Sequence, residues 1–225
     1  MEEDTKGSLM RKYLSVVVIL PILLFPLGQL WAADDLNGIL EKIKTRERSL
    51  KTFIATFSQT KKTQLLKEPL LSVGMIYFDN RGRLLFQVTS PSPVTILFKG
   101  GELITWYPDL SKVKKRYVGA GAVKKYFGLG NTVEELKKQY HIELSPESKE
   151  EHYRLRLTPR TESMAKRIEI IGVEVGRDTW LPATIHFREQ GGDFTTIKLD
   201  FISINEPLPP DIFKIDIPEK KGDAF

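Results

Sequence analysis

The sequence predicts a mainly β fold, an antiparallel sheet of about eleven strands that curls into a barrel or half-barrel. Three observations lead there. Residues 70–108, LLSVGMIYFDNRGRLLFQVTSPSPVTILFKGGELITWYP, hold apolar and aromatic runs separated by Asn-Arg-Gly, Ser-Pro-Ser-Pro and Gly-Gly, the hairpin signature. Similar runs resume between 141 and 217. Finally, apolar residues occupy both parities of the alternation, as in Met75-Ile76-Tyr77-Phe78 and Ile96-Leu97-Phe98. A strand with one wet face reads apolar-polar-apolar, so this chain has more greasy sheet surface than one thin core requires.

The N-terminal segment is set apart from that fold. Arg11 and Lys12 precede an almost unbroken apolar run over 13–30, and Trp31-Ala32-Ala33 then leads into charged sequence. A positive start, an apolar centre and a small-residue exit predict a signal peptide over 1–33. The alternative is an uncleaved inner-membrane anchor, since the run approaches the length that spans a bilayer; Pro21 and Pro26 count against a regular spanning helix. Residues 34–225 are then expected to be a single domain in a periplasm-like compartment. The chain has no cysteine, so no disulfide framework holds it and the lipid anchor of a bacterial lipoprotein is ruled out. Its net charge of +5 is unchanged when the leader is removed, and it indicates solubility and a mild attraction to acidic surfaces. The basic run Lys112-Val113-Lys114-Lys115-Arg116 reads as a solvated edge strand rather than a lipid or partner site.

In chain order, Leu36, Ile39, Leu40, Ile43 and Leu50 recur at helical spacing behind an Asp34 or Asp35 N-cap, predicting an amphipathic helix that lies on the sheet. A first strand over 53–62 follows, then the four of 70–108. If Gly100-Gly101 forms a two-residue loop, Phe98 pairs with Leu103, Ile96 with Thr105 and Val94 with Tyr107. One face then carries Val94, Ile96, Phe98, Leu103 and Tyr107, and this more apolar face is assigned to the interior. A sixth strand is expected over 112–118, with short helices over 122–127 and 132–140. The second helix opens on a capping-box pattern, Thr132-Val133-Glu134-Glu135. Further strands are expected over 141–145, 153–158, 168–175, 183–188, 194–204 and 213–217. A two-residue turn at Gly191-Gly192 would set Ile185 and Phe187 beside polar neighbours, so an odd loop, three residues with a glycine bulge, is predicted instead.

Chemistry is sparse. His141, His152 and His186 have no ligand-spaced neighbours, and neither a nucleophile elbow nor a nucleotide loop is present. The histidines are expected on strand surfaces. No metal, cofactor or enzymatic activity is expected, and nucleic-acid binding fits an exported chain poorly.

Several residues in fixed order carry a family likeness: Phe53, Phe57 and Gln59; Gly74 with Tyr77-Phe78; Gly82-Arg83-Leu84 with Phe86; Gly101-Glu102-Leu103-Ile104 with Trp106-Tyr107-Pro108; and Phe213, Ile215, Ile217 and Pro218. Over about 36–218 the chain resembles the periplasmic lipoprotein carrier family, LolA. The resemblance implies an incomplete β-barrel covered by helices, enclosing a hydrophobic cavity for acyl chains. It also implies acylated lipoproteins or other lipids as cargo, an inner-membrane ABC transporter as donor and an outer-membrane lipoprotein acceptor, with the carrier a monomer. A lipid-binding or signal-sensing module tethered to the inner membrane is the alternative on the same fold. The family pattern places a basic residue and a proline before the third strand, where the arginine latches the lid. Here Asp79-Asn80-Arg81-Gly82-Arg83 lacks the proline, and the segment after Trp106-Tyr107 is one residue tighter. The latch role therefore does not transfer directly to Arg81.

On this reading the cavity lining is Phe57, Met75, Tyr77, Leu84, Phe86, Val94, Ile96, Phe98, Leu103, Tyr107, Ile185 and Phe187. The lid is the segment 122–140, hinged at Gly119, Gly121, Gly128 and Gly130.

Overall fold

In the computed structural model, described here over residues 35–119, 133–147 and 151–215, eleven antiparallel strands form one open sheet. They are β1 (Thr52–Lys62), β2 (Leu70–Asp79), β3 (Arg83–Ser90), β4 (Val94–Lys99), β5 (Glu102–Tyr107), β6 (Lys112–Tyr117), β7 (Tyr140–Leu144), β8 (His152–Pro159), β9 (Ile168–Gly176), β10 (Pro182–Glu189) and β11 (Phe194–Ile204). The order across the sheet is β6-β5-β4-β3-β2-β1-β11-β10-β9-β8-β7. Since β6 and β7 are both edges, the barrel is incomplete. The basic run therefore lies on an edge strand, where exposed lysines discourage pairing with another chain.

Two hairpins confirm the register expectations. Gly100 and Gly101 both take positive φ (60° and 83°), as a two-residue loop with matching twist demands, and Phe98 faces Leu103. At the β10–β11 turn Glu189 N donates to Asp193 O at 2.9 Å, leaving a three-residue loop whose Gly192 is left-handed at φ 82°. Ile185 consequently faces Ile197.

Helix α1 (Leu36–Ser49) begins where the Asp35 carboxylate accepts from the Gly38 N–H at 2.6 Å. Its apolar stripe, Leu36, Ile39, Leu40 and Ile43, lies on one half of the sheet with Val133 and Leu136 of α2 (Val133–Gln139). An ion pair between Lys44 and Glu134 links the two helices. Thr132 of the expected capping box and the whole expected helix over 122–127 lie outside the described residues. A one-turn helix, α3 (Glu162–Ala165), lies between β8 and β9 and was not expected.

The expected last strand over 213–217 is a correction over 213–215, since residues 206–215 are not in the sheet, and 216 and 217 lie outside the described residues. Pro207, Pro209 and Pro210 lack the N–H that a ladder needs, and Asp211 takes a left-handed φ of 62°. The segment instead crosses the sheet's face as a strap. Leu208, Ile212, Phe213 and Ile215 cover Tyr77, Leu85, Leu97 and Ile104.

Candidate lipid-binding face

Strand alternation and register build the site. Phe53, Ala55 and Phe57 of β1 are buried on alternate positions. Across the ladder Phe53 faces Phe78 and Ala55 faces Ile76 in β2, and Phe78 faces Leu84 and Ile76 faces Phe86 in β3. Leu84 then faces Phe98, Phe86 faces Ile96, and Phe98 faces Leu103. The other way, Phe57 faces Leu199 of β11, and Ile197 faces Ile185 of β10. From there Ile185 faces Val173, which faces Leu155, which faces Leu144. One apolar row thus crosses from β5 to β7 on a single face, the face on which α1 and α2 lie.

The two halves of this inner face differ. Over β7–β10 it is filled by α1 and α2. Over β1–β5 and β11 the cluster of Phe53, Ala55, Phe57, Ile76, Phe78, Leu84 and Phe98 receives no residue from a described helix; Leu50 and Val118 are its described neighbours from outside the strands. Aromatic rings dominate it: Phe53 stacks on Phe78 with centroids 5.0 Å apart, and Phe57 meets Phe86 edge-on at 6.0 Å. Gly74 is required there. A Cβ at Gly74 would overlap the Gln87 carbonyl oxygen and approach Phe57 Cε1 to 2.8 Å, where a register shift crowds β2 and β3 together.

The expected lining sorts cleanly by parity. Phe57, Leu84, Phe86, Ile96, Phe98 and Leu103 come together in the β1–β5 cluster, with Val94 and Tyr107 half-buried at the strand ends on the same face. Ile185 and Phe187 share that face but pack in the half that α1 fills. Met75 and Tyr77 are corrections: they alternate with Ile76 and Phe78 and project from the opposite face. Tyr77 lies beneath the strap, and Met75 borders a shallow groove of about 780 Å³ with Val73, Thr56 and Ser58. The apolar excess on both parities therefore has two destinations, an inner row and an outer row under the strap. Leu199, Phe201 and Phe53 belong to the inner cluster although they were not among the expected lining residues; the alternation of Phe53, Ala55 and Phe57, and of Ile197, Leu199 and Phe201, was the available signal.

Of the expected hinges, Gly119 takes φ 89° and its N–H donates to Gly101 O at 3.1 Å. Gly121, Gly128 and Gly130 lie outside the described residues.

Ionisable groups sit elsewhere. Asp79, at 1% exposure, accepts from Arg81 Nε at 3.0 Å and also pairs with Arg83 on the outer side, where the Arg83 guanidinium lies 4.5 Å over the Phe213 ring. The Arg81 guanidinium, aided by Arg83, holds the Asp79 carboxyl well below the usual carboxylate range against the opposing effect of burial. These groups line a cleft of about 420 Å³ beside the strap. The histidines are on strands: His141 is largely exposed, and His186 Nδ1 is 3.1 Å from Thr196 Oγ1. Among the described residues no cluster of His, Asp or Glu could hold a metal ion, and no helix is long and apolar enough to cross a membrane.

From β1 to β5 the inner face is thus a largely hydrocarbon surface, bordered at the β6 edge by Lys112, Lys114 and Arg116, which pair with Tyr107, Thr105 and Leu103. A family model described as outer membrane lipoprotein carrier protein LolA matches residues 48–216. The chain belongs to the LolA family. No curated protein matches it. Among solved structures, MucB superposes with a TM-score of 0.51 at 14% identity, over 82% of this chain and 64% of MucB, which shows a shared fold. A LolA superfamily protein from Nitrosomonas europaea matches at 18% identity and TM-score 0.41, over 80% and 97% of the two chains. The lipoprotein LppX of Mycobacterium tuberculosis matches at 11% and 0.45, over 78% and 99%. Within the LolA frame, the β1–β5 half of the inner face is the candidate site, and Asp79 lies at the turn where the family's basic residue is expected.

Proposed function

We propose that this LolA-family protein is an exported, non-enzymatic carrier that shields the acyl chains of lipoproteins or other lipids against the β1–β5 half of its inner face. The observation supporting this most strongly is the aromatic-rich cluster around Phe57, Leu84 and Phe98, which no described helix fills. Burial of hydrocarbon yields about 0.8 kcal/mol per methylene, so one long chain is held by on the order of 10 kcal/mol. Such a chain does not leave into water on a useful timescale. A carrier must therefore take it directly from a donor and hand it to an acceptor of comparable affinity, and the family suggests an inner-membrane ABC transporter and an outer-membrane acceptor for these roles. Residues 1–33 act as the export signal, and 34–225 as one carrier domain, working as a monomer in the periplasm.

Titration of delipidated protein with a fluorescent fatty-acyl probe tests the reading. Phe98→Glu sets a carboxylate into the cluster and is expected to weaken probe binding by about a hundredfold or more. Leu103→Glu, at a half-buried position less critical for folding, is expected to act in the same direction. Circular dichroism reports whether each variant is folded. Unchanged binding in a folded variant, or no binding by the wild type, would overturn the assignment.

A further inference from the structure

The loop between β1 and β2, together with the first two residues of β2, concentrates exposed leucines. Residues 64–71 are all exposed, and they include Leu65 at 92%, Leu66 at 47%, Leu70 at 50% and Leu71 at 62%. Scattered exposed leucines are ordinary, but four within seven residues at one protruding tip are not. The base of the loop is pinned. Lys61 Nζ pairs with Glu189 at 3.0 Å and Asp193 at 3.4 Å, and the Gln64 N–H donates to Asp193 at 3.4 Å. The polar residues thus fasten the loop to the β10–β11 turn, and the leucines face outward.

Strand direction adds to the tip. In an antiparallel order the β1–β2, β3–β4, β5–β6 and β10–β11 connections share one end of the sheet. Leu110, 70% exposed in the β5–β6 connection, therefore lies at the same end. The inner-face row also reaches this end, through Val88, Val94 and Tyr107. Lys62 and Lys67 flank the leucines, and among the described residues neither makes an ion pair, so two cations stand beside the apolar tip with Glu68 as the one acid of the loop.

We propose that this end of the sheet is a membrane-docking tip: Leu65, Leu66, Leu70 and Leu71 enter the interfacial zone of a phospholipid bilayer while Lys62 and Lys67 lie at the headgroup phosphates. Exposed leucines need no shape-matched pocket in a deformable lipid interface, and flanking lysines favour an anionic one. The inference rests on the carrier reading for its purpose, which is to bring the open end of the inner face to a lipid surface. Insertion itself does not depend on that reading.

The chain has no cysteine, so one introduced cysteine takes an environment-sensitive fluorophore at a single position. The probe is placed at Leu66→Cys in the full chain and, for contrast, at Asn80→Cys in the turn at the opposite end of the sheet. Each is mixed with vesicles of phosphatidylcholine containing a minor fraction of phosphatidylglycerol and of bromine-labelled lipid. The expected result is a blue shift and bromine quenching at position 66 with neither at position 80. Leu65→Ser combined with Leu70→Ser should weaken the vesicle partitioning of the labelled tip by roughly tenfold per leucine, with acyl-probe binding in solution retained. An unshifted, unquenched position 66 would overturn the proposal, as would equal quenching at both positions, which marks tethering from elsewhere in the chain. A concentration-dependent blue shift without vesicles would also overturn it in favour of a second copy. Fatty-acyl binding is measured separately, so a carrier without a docking tip and a docking tip without cargo give different patterns.

Discussion

Asp79 is the residue where charge and fold are most tightly bound. It is buried at the end of β2, and its two arginines come from its own turn, so the hairpin closes on an ionised carboxylate. Its folded pKa lies below the ordinary value near about 3.9. The stability it contributes is therefore fully present above that value and is lost as pH falls through the folded pKa. Asp79→Asn is expected to cost about 3 kcal/mol at neutral pH, because Arg83 keeps its half-buried position without an anion. Urea unfolding at about pH 7 and about pH 3 should show the gap between wild type and variant narrowing on acidification; a gap that widens would contradict the account. Single residues were legible where the backbone left one solution. Gly100 and Gly101 had to take positive φ together, and the parity conflict around Ile185 required a three-residue loop. Met75 and Tyr77 were not legible, since their neighbours Ile76 and Phe78 are as apolar as they are and alternation alone does not say which pair faces inward.

At the scale of elements, what resolves that ambiguity lies more than a hundred residues away. The strap of Leu208, Ile212, Phe213 and Ile215 supplies a cover for the outer row, and a sequence of prolines with interspersed apolar residues does not reveal whether it joins an edge or crosses a face. The strap is structural. Phe213 is 5% exposed, caps Leu85 and Leu97, and carries the Arg83 guanidinium on its ring. Phe213→Ala is expected to destabilise the protein by about 3–4 kcal/mol, read as a lowered urea midpoint. Acyl-probe binding by the variant that remains folded should be unaffected, because the inner cluster does not touch the strap. Loss of binding at full stability would instead place cargo on the outer row. Helix α1 was legible from its periodicity and the Asp35 cap, and α2 in its position, whereas α3 was not; Glu134, read as part of a capping box, pairs with Lys44 of α1.

At the scale of the molecule, the sheet carries an apolar row from β5 to β7, and among the described residues helices α1 and α2 pack on the β7–β10 half of it. The fold class, most strand positions and the family were legible because turn residues punctuate the strands and the family residues fall on that frame, whereas the β1–β11 pairing that joins the two halves of the sheet was not. Less legible was how the apolar surface divides, into a helix-packed half, a strap-covered outer row and the remaining aromatic cluster. If this cluster holds hydrocarbon, native mass spectrometry of protein purified from the exported fraction shows it. Mass additions that correspond to acyl-bearing lipids or lipoproteins are expected, and they should disappear in folded Phe98→Glu. A single unliganded species in the wild type, unchanged after incubation with acylated lipid, would contradict this assignment.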